Sequence, residues 1–290
     1  MTSKKRAPTF PLPLERLASL PRRLVIAPGA AAAAPLPRPD AARVSRPVLR
    51  PQRPLQHAAE SAARRDGPTG LGLDSHGVRL RMVERLRRDG LRHEAVLAAL
   101  ASVPRHNFVD SALVTQAYED TSLPLGHGQT ISKPSVVARM LELLFEGGSA
   151  RASGSLGRVL EIGTGCGYQA AVLAQLSRQV LSVERIKPLH ERARMHLASL
   201  REHRIRLVYG DGRRGHAPNA PYDSIIAAAG GDELPPAWFE QLAEGGRLVA
   251  PRLDAKSGAQ LLVVVDRTAS GFVQTLCETV LFVPLKSGLD

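Results

Sequence analysis

Three glycines at alternate positions, Gly163, Gly165 and Gly167, follow the apolar run Val159 to Ile162 and precede an apolar stretch from Gln169 to Leu176. A second apolar run, Val180 to Val183, ends on Glu184, 21 residues after the first of these glycines. The residue types suit a nucleoside. Glycines allow the backbone to come close to a ligand, and one carboxylate can accept from both hydroxyls of a ribose. A further carboxylate, Glu161, stands just ahead of the glycine loop.

The spacing narrows the ligand. Dinucleotide sites carry Gly-x-Gly-x-x-Gly, with a pyrophosphate held at the N-terminus of the following helix. Here the pattern is Gly-x-Gly-x-Gly, and Glu161 would repel a pyrophosphate while suiting a cation. A ribose-bearing ligand with positive charge and no phosphate is S-adenosylmethionine, which carries a sulfonium and an amino group. The expected cofactor is therefore S-adenosylmethionine. A second cluster of chemistry-bearing residues is Leu125-Gly-His-Gly-Gln-Thr-Ile-Ser132, followed by Lys133 and Pro134. On the residues alone, Ser132 reads as the N-cap of a helix with Pro134 in its first turn.

These residues need elements to hold them, and the chain supplies an alternation. Strand 159–162 leads to helix 168–176, strand 180–183 and helix Pro188–Leu200. Strand Ile205–Tyr209, the turn Gly210-Asp-Gly-Arg213, strand Tyr222–Ala229, helix Pro236–Leu242 and strand Arg247–Pro251 follow. Repeated strand–helix alternation argues a parallel sheet covered on both faces. Two β-rich runs, Gln260–Arg267 and Phe272–Pro284, flank Ala269-Ser-Gly271 and read as an antiparallel hairpin. Ahead of this core, Val78, Met82, Val83 and Leu86 form a helical stripe ended by Gly90, and a second helix over 92–103 is stopped by Pro104. Residues 123–134 read as a loop. The fold class is thus α/β: a Rossmann-like, mostly parallel sheet ending in an antiparallel hairpin, with N-terminal flanking helices.

Composition divides the 290 residues unevenly. Residues 1–75 hold 13 Lys or Arg against 5 Asp or Glu and 12 of the 22 prolines, so most of the net charge of +12 comes from the first quarter. That composition cannot bury enough apolar surface to offset ordering entropy, so a disordered basic extension is expected over 1–75 and a catalytic domain over 76–290. Phe10 is the one aromatic among its arginines, where stacking single-stranded bases takes a series of rings. No stretch approaches the roughly 20 apolar residues of a membrane span. The two cysteines, Cys166 and Cys277, make neither a disulfide framework nor a zinc spacing, which fits a cytoplasmic protein with no metal. Cys166 reads as a small residue filling the glycine loop.

Five segments together carry a resemblance. Leu125–Ser132, Val159–Tyr168, Ser182-Val-Glu-Arg-Ile186, Gly210-Asp-Gly212 and Phe282-Val-Pro-Leu285 closely resemble, in order, the protein-L-isoaspartate (D-aspartate) O-methyltransferases. The resemblance spans about residues 78–288. It departs at Ala228-Ala-Gly-Gly-Asp-Glu-Leu-Pro235, where the family more often has alanines and proline in place of Gly230-Gly-Asp232. The resemblance implies methyl transfer from S-adenosylmethionine to the free α-carboxylate of L-isoaspartyl residues in damaged proteins and peptides, which starts repair through a succinimide. It implies Ser132 as the catalytic residue. It also implies cofactor contacts from Thr130, Ile131, Glu161, Gly163, Gly165, Gly167, Val183, Glu184, Asp211 and Gly212, with Asp211 near the adenine. A monomer is expected, and no membrane partner.

Two other classes compete. One is a methyltransferase of the same cofactor half acting on a small molecule or nucleic acid. Nucleic acid is disfavoured because the position after the fourth strand reads Ala227-Ala-Ala-Gly-Gly, with no aromatic clamp for a flipped base. The other is a non-catalytic cofactor-binding module, disfavoured because Ser132, Glu161, Glu184 and Asp211 are all present.

Overall fold

The computed structural model describes residues 75–200 and 203–290. Apart from Ser75, the extension expected to be disordered lies outside these residues. Two helices come first, α1 (Ser75–Arg88) and α2 (Glu94–Ser102), with Met82, Val83 and Leu86 buried along the stripe that the sequence shows. A short hairpin follows, β1 (Leu123–Gly126) and β2 (Gln129–Ile131), then α3 (Pro134–Phe145) and α4 (Gly148–Ser153). The core then runs β3 (Arg158–Ile162), α5 (Tyr168–Leu176), β4 (Gln179–Glu184), α6 (Lys187–Ser199), β5 (Ile205–Tyr209), β6 (Tyr222–Ala227), α7 (Pro236–Gln241) and β7 (Leu242–Leu253). Strands β8 (Gln260–Thr268) and β9 (Gly271–Val280) close the chain's sheet.

The seven strands lie in the order β5-β4-β3-β6-β7-β8-β9. The first five are parallel, and β8 and β9 are antiparallel. Both faces are covered because the central strands are apolar on both sides. Val159 faces one core cluster and Leu160 and Ile162 the other, as period-two alternation of side chains requires. Strand order reverses around β3, with β4 on one side and β6 on the other. The carboxyl ends of β3 and β6 therefore open a crevice at a topological switch point, the place where open α/β sheets bind ligands.

Residues 123–134 differ from the loop reading. Leu123, Leu125 and Ile131 are buried while Pro124 and Thr130 face out, so the segment is a hairpin with one apolar face. Gly126, His127 and Gly128 all turn through positive φ (85°, 53° and 66°), which closes it. Strand β7 also begins five residues earlier than the apolar run, at Leu242, with a register irregularity against β6 between Tyr222 and Ser224. That irregularity absorbs Glu244-Gly245-Gly246, residues that read as a loop.

Where the chain departs from the family pattern, Gly230 holds the C-terminal segment and Gly231 pairs with Arg252 of β7. Gly230 N–H donates to the Val283 carbonyl at 2.9 Å, and Leu285 N–H donates to the Gly230 carbonyl at 2.7 Å. A Cβ at Gly230 would stand 3.2 Å from both Cβ and O of Pro251, so the bare backbone permits this approach.

Candidate active site

A cleft opens at the carboxyl ends of β3 and β4. Gly163 and Gly165 form one wall, Val183 and Glu184 another, and Gly212, Ala228 and the C-terminal segment Val283–Lys286 complete it, with Gln129 and Thr130 overhead. A smaller cavity adjoins it, sharing Thr130, Gly163, Gly165 and Ala228. Ile131, Ser132, Cys166, Tyr168 and Gln169 line this second chamber.

The glycine loop is built for its turn. Gly163, Gly165 and Gly167 have φ of 88°, 57° and 91°. Gly167 precedes α5, and a Cβ there would lie 3.1 Å from the Leu197 side chain of α6, so both conformation and space demand glycine. Helix α6 braces the loop and the hairpin: Arg192 Nη1 donates to the Leu125 carbonyl at 2.8 Å, and His196 Nδ1 lies 3.0 Å from the Cys166 carbonyl. Gly212 is pinned from below by Trp238, fully buried, whose Nε1 donates to the Gly212 carbonyl at 2.8 Å.

Glu184 is 5 % exposed and its carboxylate is oriented by backbone. Gly165 N–H donates to Oε2 and Ile186 N–H to Oε1, both at 2.9 Å. Each carboxylate oxygen can accept more than one hydrogen bond, so the group stays able to take two ligand hydroxyls in the cleft that it lines. Glycine loop and acidic residue are one unit.

Asp211 does not line the cleft, although Gly212 beside it does. Its Oδ1 accepts from Arg213 N–H at 2.9 Å and its Oδ2 from Gly288 N–H at 2.8 Å. The carboxylate caps its own turn and ties down the C-terminal segment, a pairing 77 residues away in sequence.

Glu161 lies beneath the loop, not in either cavity, and is fully buried. Ser182 Oγ donates to its Oε2, and Thr164 Oγ1 bonds Ser182 Oγ in turn. Burial pushes its carboxyl up to about 8, against the opposing hydrogen bond of Ser182. The buried Glu161 Oε1 and Gln169 Nε2 have no partner among the described residues. Gln169 lines the second chamber beside the glycine loop, and its unpaired amide N–H fits a ligand carrying an amino-acid end, as S-adenosylmethionine does.

The raised Glu161 value has a consequence for stability. The folded chain keeps a proton that the unfolded chain releases near its ordinary 4.5. Stability from this group is therefore present at low pH, falls as pH rises from about 4.5 to about 8, and levels off above, with a slope of up to about 1.4 kcal/mol per pH unit. Glu161→Gln should remove this slope. In melting curves of ligand-free protein from pH 5 to pH 9, the variant should gain on the parent as pH rises to 8. Parallel curves would show that Glu161 is already ionised.

Ser132 is not the helix cap that its position beside Pro134 suggests. Lys133 occupies the N-cap and supplies no side-chain bond. Capping comes from Asp120, whose Oδ1 accepts from Ser135 N–H at 2.8 Å and whose Oδ2 accepts from Ser135 Oγ at 2.8 Å. The Ser132 hydroxyl, half-buried on the second chamber, is left without a protein partner among the described residues. Lys133 Nζ lies 3.8 Å from Asp120 Oδ2, so its charge is shared with an acid and not aimed solely at the chamber. Cys166 is buried and its thiol is pushed up to about 11 by burial, which leaves it neutral and unreactive at pH 7.

The residues that sequence reasoning missed come from distant segments. Arg105, fully buried, donates from Nη2 to the Ser132 carbonyl. Lys286 stands exposed on the rim of the cleft. Neither has a local pattern that marks it.

Comparison with known proteins shows the family and the fold. Residues 79–290 match the family model of protein-L-isoaspartate (D-aspartate) O-methyltransferase. A protein-L-isoaspartate O-methyltransferase of Methylibium petroleiphilum is 64% identical over 245 residues, which is 84% of this chain and 90% of the relative. That of Leptothrix cholodnii is 59% identical over 281 residues (96% and 94%), and that of Dechloromonas aromatica is 54% identical over 219 residues (76% and 98%). Among solved structures, a protein-L-isoaspartate O-methyltransferase superposes with a TM-score of 0.65 at 30% identity, covering 73% of this chain and 67% of that one. A Plasmodium falciparum structure in complex with S-adenosyl-L-homocysteine shares the fold, with a TM-score of 0.61 at 24% identity over 72% of this chain and 98% of that one. With its family match across the whole described core and relatives above half identity along most of their length, this chain belongs to the protein-L-isoaspartate (D-aspartate) O-methyltransferase family.

Proposed function

We propose that this chain transfers a methyl group from S-adenosylmethionine to the free α-carboxylate of L-isoaspartyl residues, with Glu184 holding the cofactor and Ser132 orienting the acceptor. The observation that carries this reading is the pair of adjoining cavities. A backbone-oriented carboxylate lines one, and Ser132, whose hydroxyl has no partner among the described residues, lines the other.

When bound, S-adenosylmethionine supplies an electrophilic methyl on a sulfonium sulfur. The chain's own task is then alignment. A carboxylate acceptor is ionised at neutral pH, so Ser132 needs no base to activate it and attacks nothing; its hydroxyl donates to the acceptor and fixes its direction. Glu184 accepts from the ribose hydroxyls, the Gly163–Gly167 loop meets the amino-acid end, and Val183 and Gly212 flank the base, with Asp211 steadying that turn. Thr130 and Ile131 close the roof and exclude water. The methyl ester leaves the site and closes to a succinimide unaided, the neighbouring backbone amide nitrogen displacing methanol, and hydrolysis returns part of it to normal aspartate. Transfer of labelled methyl to an isoaspartyl peptide tests this reading directly.

Both cavities are formed by one chain, and both cysteines are free; we take the working form to be a cytoplasmic monomer acting on proteins, not on nucleic acid. No described helix is long and apolar enough to cross a membrane. The basic extension is then dispensable for catalysis. The Dechloromonas relative supports this, since 98% of its length corresponds to only 76% of this chain. A chain starting at Leu73 should keep the melting temperature within a few degrees and the turnover within about twofold of the full chain. A larger loss in either would mean that the extension docks on the catalytic domain.

A further inference from the structure

Arg105 opens a 3-10 turn, Arg105–Phe108, directly after Pro104. It is fully buried, an expensive place for a guanidinium. Ion pairing does not account for it. Asp120, whose charge it feels, is bonded instead to Ser135 and Lys133. The guanidinium engages backbone and a ring, and its buried Nη1 has no hydrogen-bond partner among the described residues. Nε donates to the Ala117 carbonyl at 2.8 Å, Nη2 donates to the Ser132 carbonyl at 2.8 Å, and Cζ lies 4.8 Å from the centre of the Tyr168 ring. Ser132 and Tyr168 line the same chamber, and Tyr168 is the first residue of α5, immediately after the glycine loop.

One rigid plane thus touches the acceptor segment and the helix that ends the cofactor loop. Ser132 gets no help from its own helix, because the cap of α3 is supplied by Asp120 at Ser135. Its carbonyl is held from behind by Arg105 instead. A lysine could reach one carbonyl but could not both fork to two and lie flat on an aromatic face.

We propose that Arg105 is a positioning residue for methyl transfer: by bridging the Ser132 carbonyl and the Tyr168 ring, it sets where the Ser132 hydroxyl stands relative to the Gly163–Gly167 loop. The inference rests on the acceptor role given to Ser132 above. It acts through Ser132 and touches neither cofactor nor acceptor. Misplacing an orienting group by a fraction of the reacting distance lowers turnover without weakening cofactor binding.

The test uses the full chain with Arg105→Lys and Arg105→Ala. Four quantities are read: kcat and KM on an isoaspartyl peptide, the Kd for S-adenosylhomocysteine by calorimetry, the melting midpoint, and hydrogen–deuterium exchange of the 129–133 segment. Arg105→Lys should lower kcat by about 10-fold and speed exchange at 129–133, while the Kd stays within about threefold and core peptides exchange as in the parent. Arg105→Ala should lose more, and added ethylguanidinium should restore part of its kcat. Parental kcat and parental exchange in Arg105→Lys would overturn the proposal. So would a kcat loss matched by an equal loss of S-adenosylhomocysteine affinity, or exchange rising across the whole core, since either marks a general structural role. If the parent itself fails to methylate the isoaspartyl peptide, the substrate reading falls, and the exchange of 129–133 still decides whether Arg105 holds that segment.

Discussion

Ser132→Ala is expected to lower turnover on an isoaspartyl peptide by roughly 10- to 100-fold while leaving cofactor affinity nearly unchanged. The hydroxyl is half-buried on the chamber beside the cleft and bonds no protein group among the described residues. A hydrogen bond from it to a charged acceptor is worth about 1.5–3 kcal/mol, which sets the size of the effect. Its structural duties are light. The cap of α3 belongs to Asp120, and the contact that ties residue 132 to Arg105 runs through the backbone carbonyl, which alanine keeps. The melting midpoint should therefore hold while kcat falls. Full activity in Ser132→Ala would remove it from the reaction.

Glu184→Ala should weaken S-adenosylhomocysteine binding by one to two orders of magnitude, measured by calorimetry, and should also lower the melting temperature. Two losses combine. The ribose contact is worth about 1.5–3 kcal/mol. In addition, the Gly165 and Ile186 amides lose the acceptor that holds the glycine loop against β4, at about 1–3 kcal/mol for the Ile186 amide left buried and unpaired. Glu184→Gln keeps one acceptor oxygen and should fall between parent and Ala. Affinity unchanged in Glu184→Ala would show that the cleft holds its ligand some other way.

The sheet was legible because its strands are buried on both faces and so read as short apolar runs: Val159 to Ile162 and Val180 to Val183 need no partner to be recognised. The glycine loop and Glu184 were legible for a related reason, since their spacing is set by one strand–helix–strand unit. What escaped depends on distant segments. The β1–β2 hairpin has only three buried side chains in nine residues, too few for a period to stand out. Ser132 looked like a cap because Pro134 follows it, but Asp120, 15 residues before Ser135, does the capping. Glu161 and Asp211 are acids of the right type near the right turns, yet a buried hydroxyl chain engages the first and the amides of Arg213 and Gly288 engage the second. Arg105 had no signal: nothing local distinguishes a buried arginine from a solvated one until Ala117 and Ser132 fold over it.

The chemistry assigned to this chain is a methyl ester formed on an isoaspartyl carboxylate. Labelled S-adenosylmethionine should be offered with two peptides of one sequence, one containing an L-isoaspartyl residue and the other the normal L-aspartyl residue. Base-labile label should appear on the isoaspartyl peptide with multiple turnovers and stay near background on its twin. Equal labelling of both peptides, or transfer to a nucleic acid or small molecule with neither peptide labelled, would contradict the account.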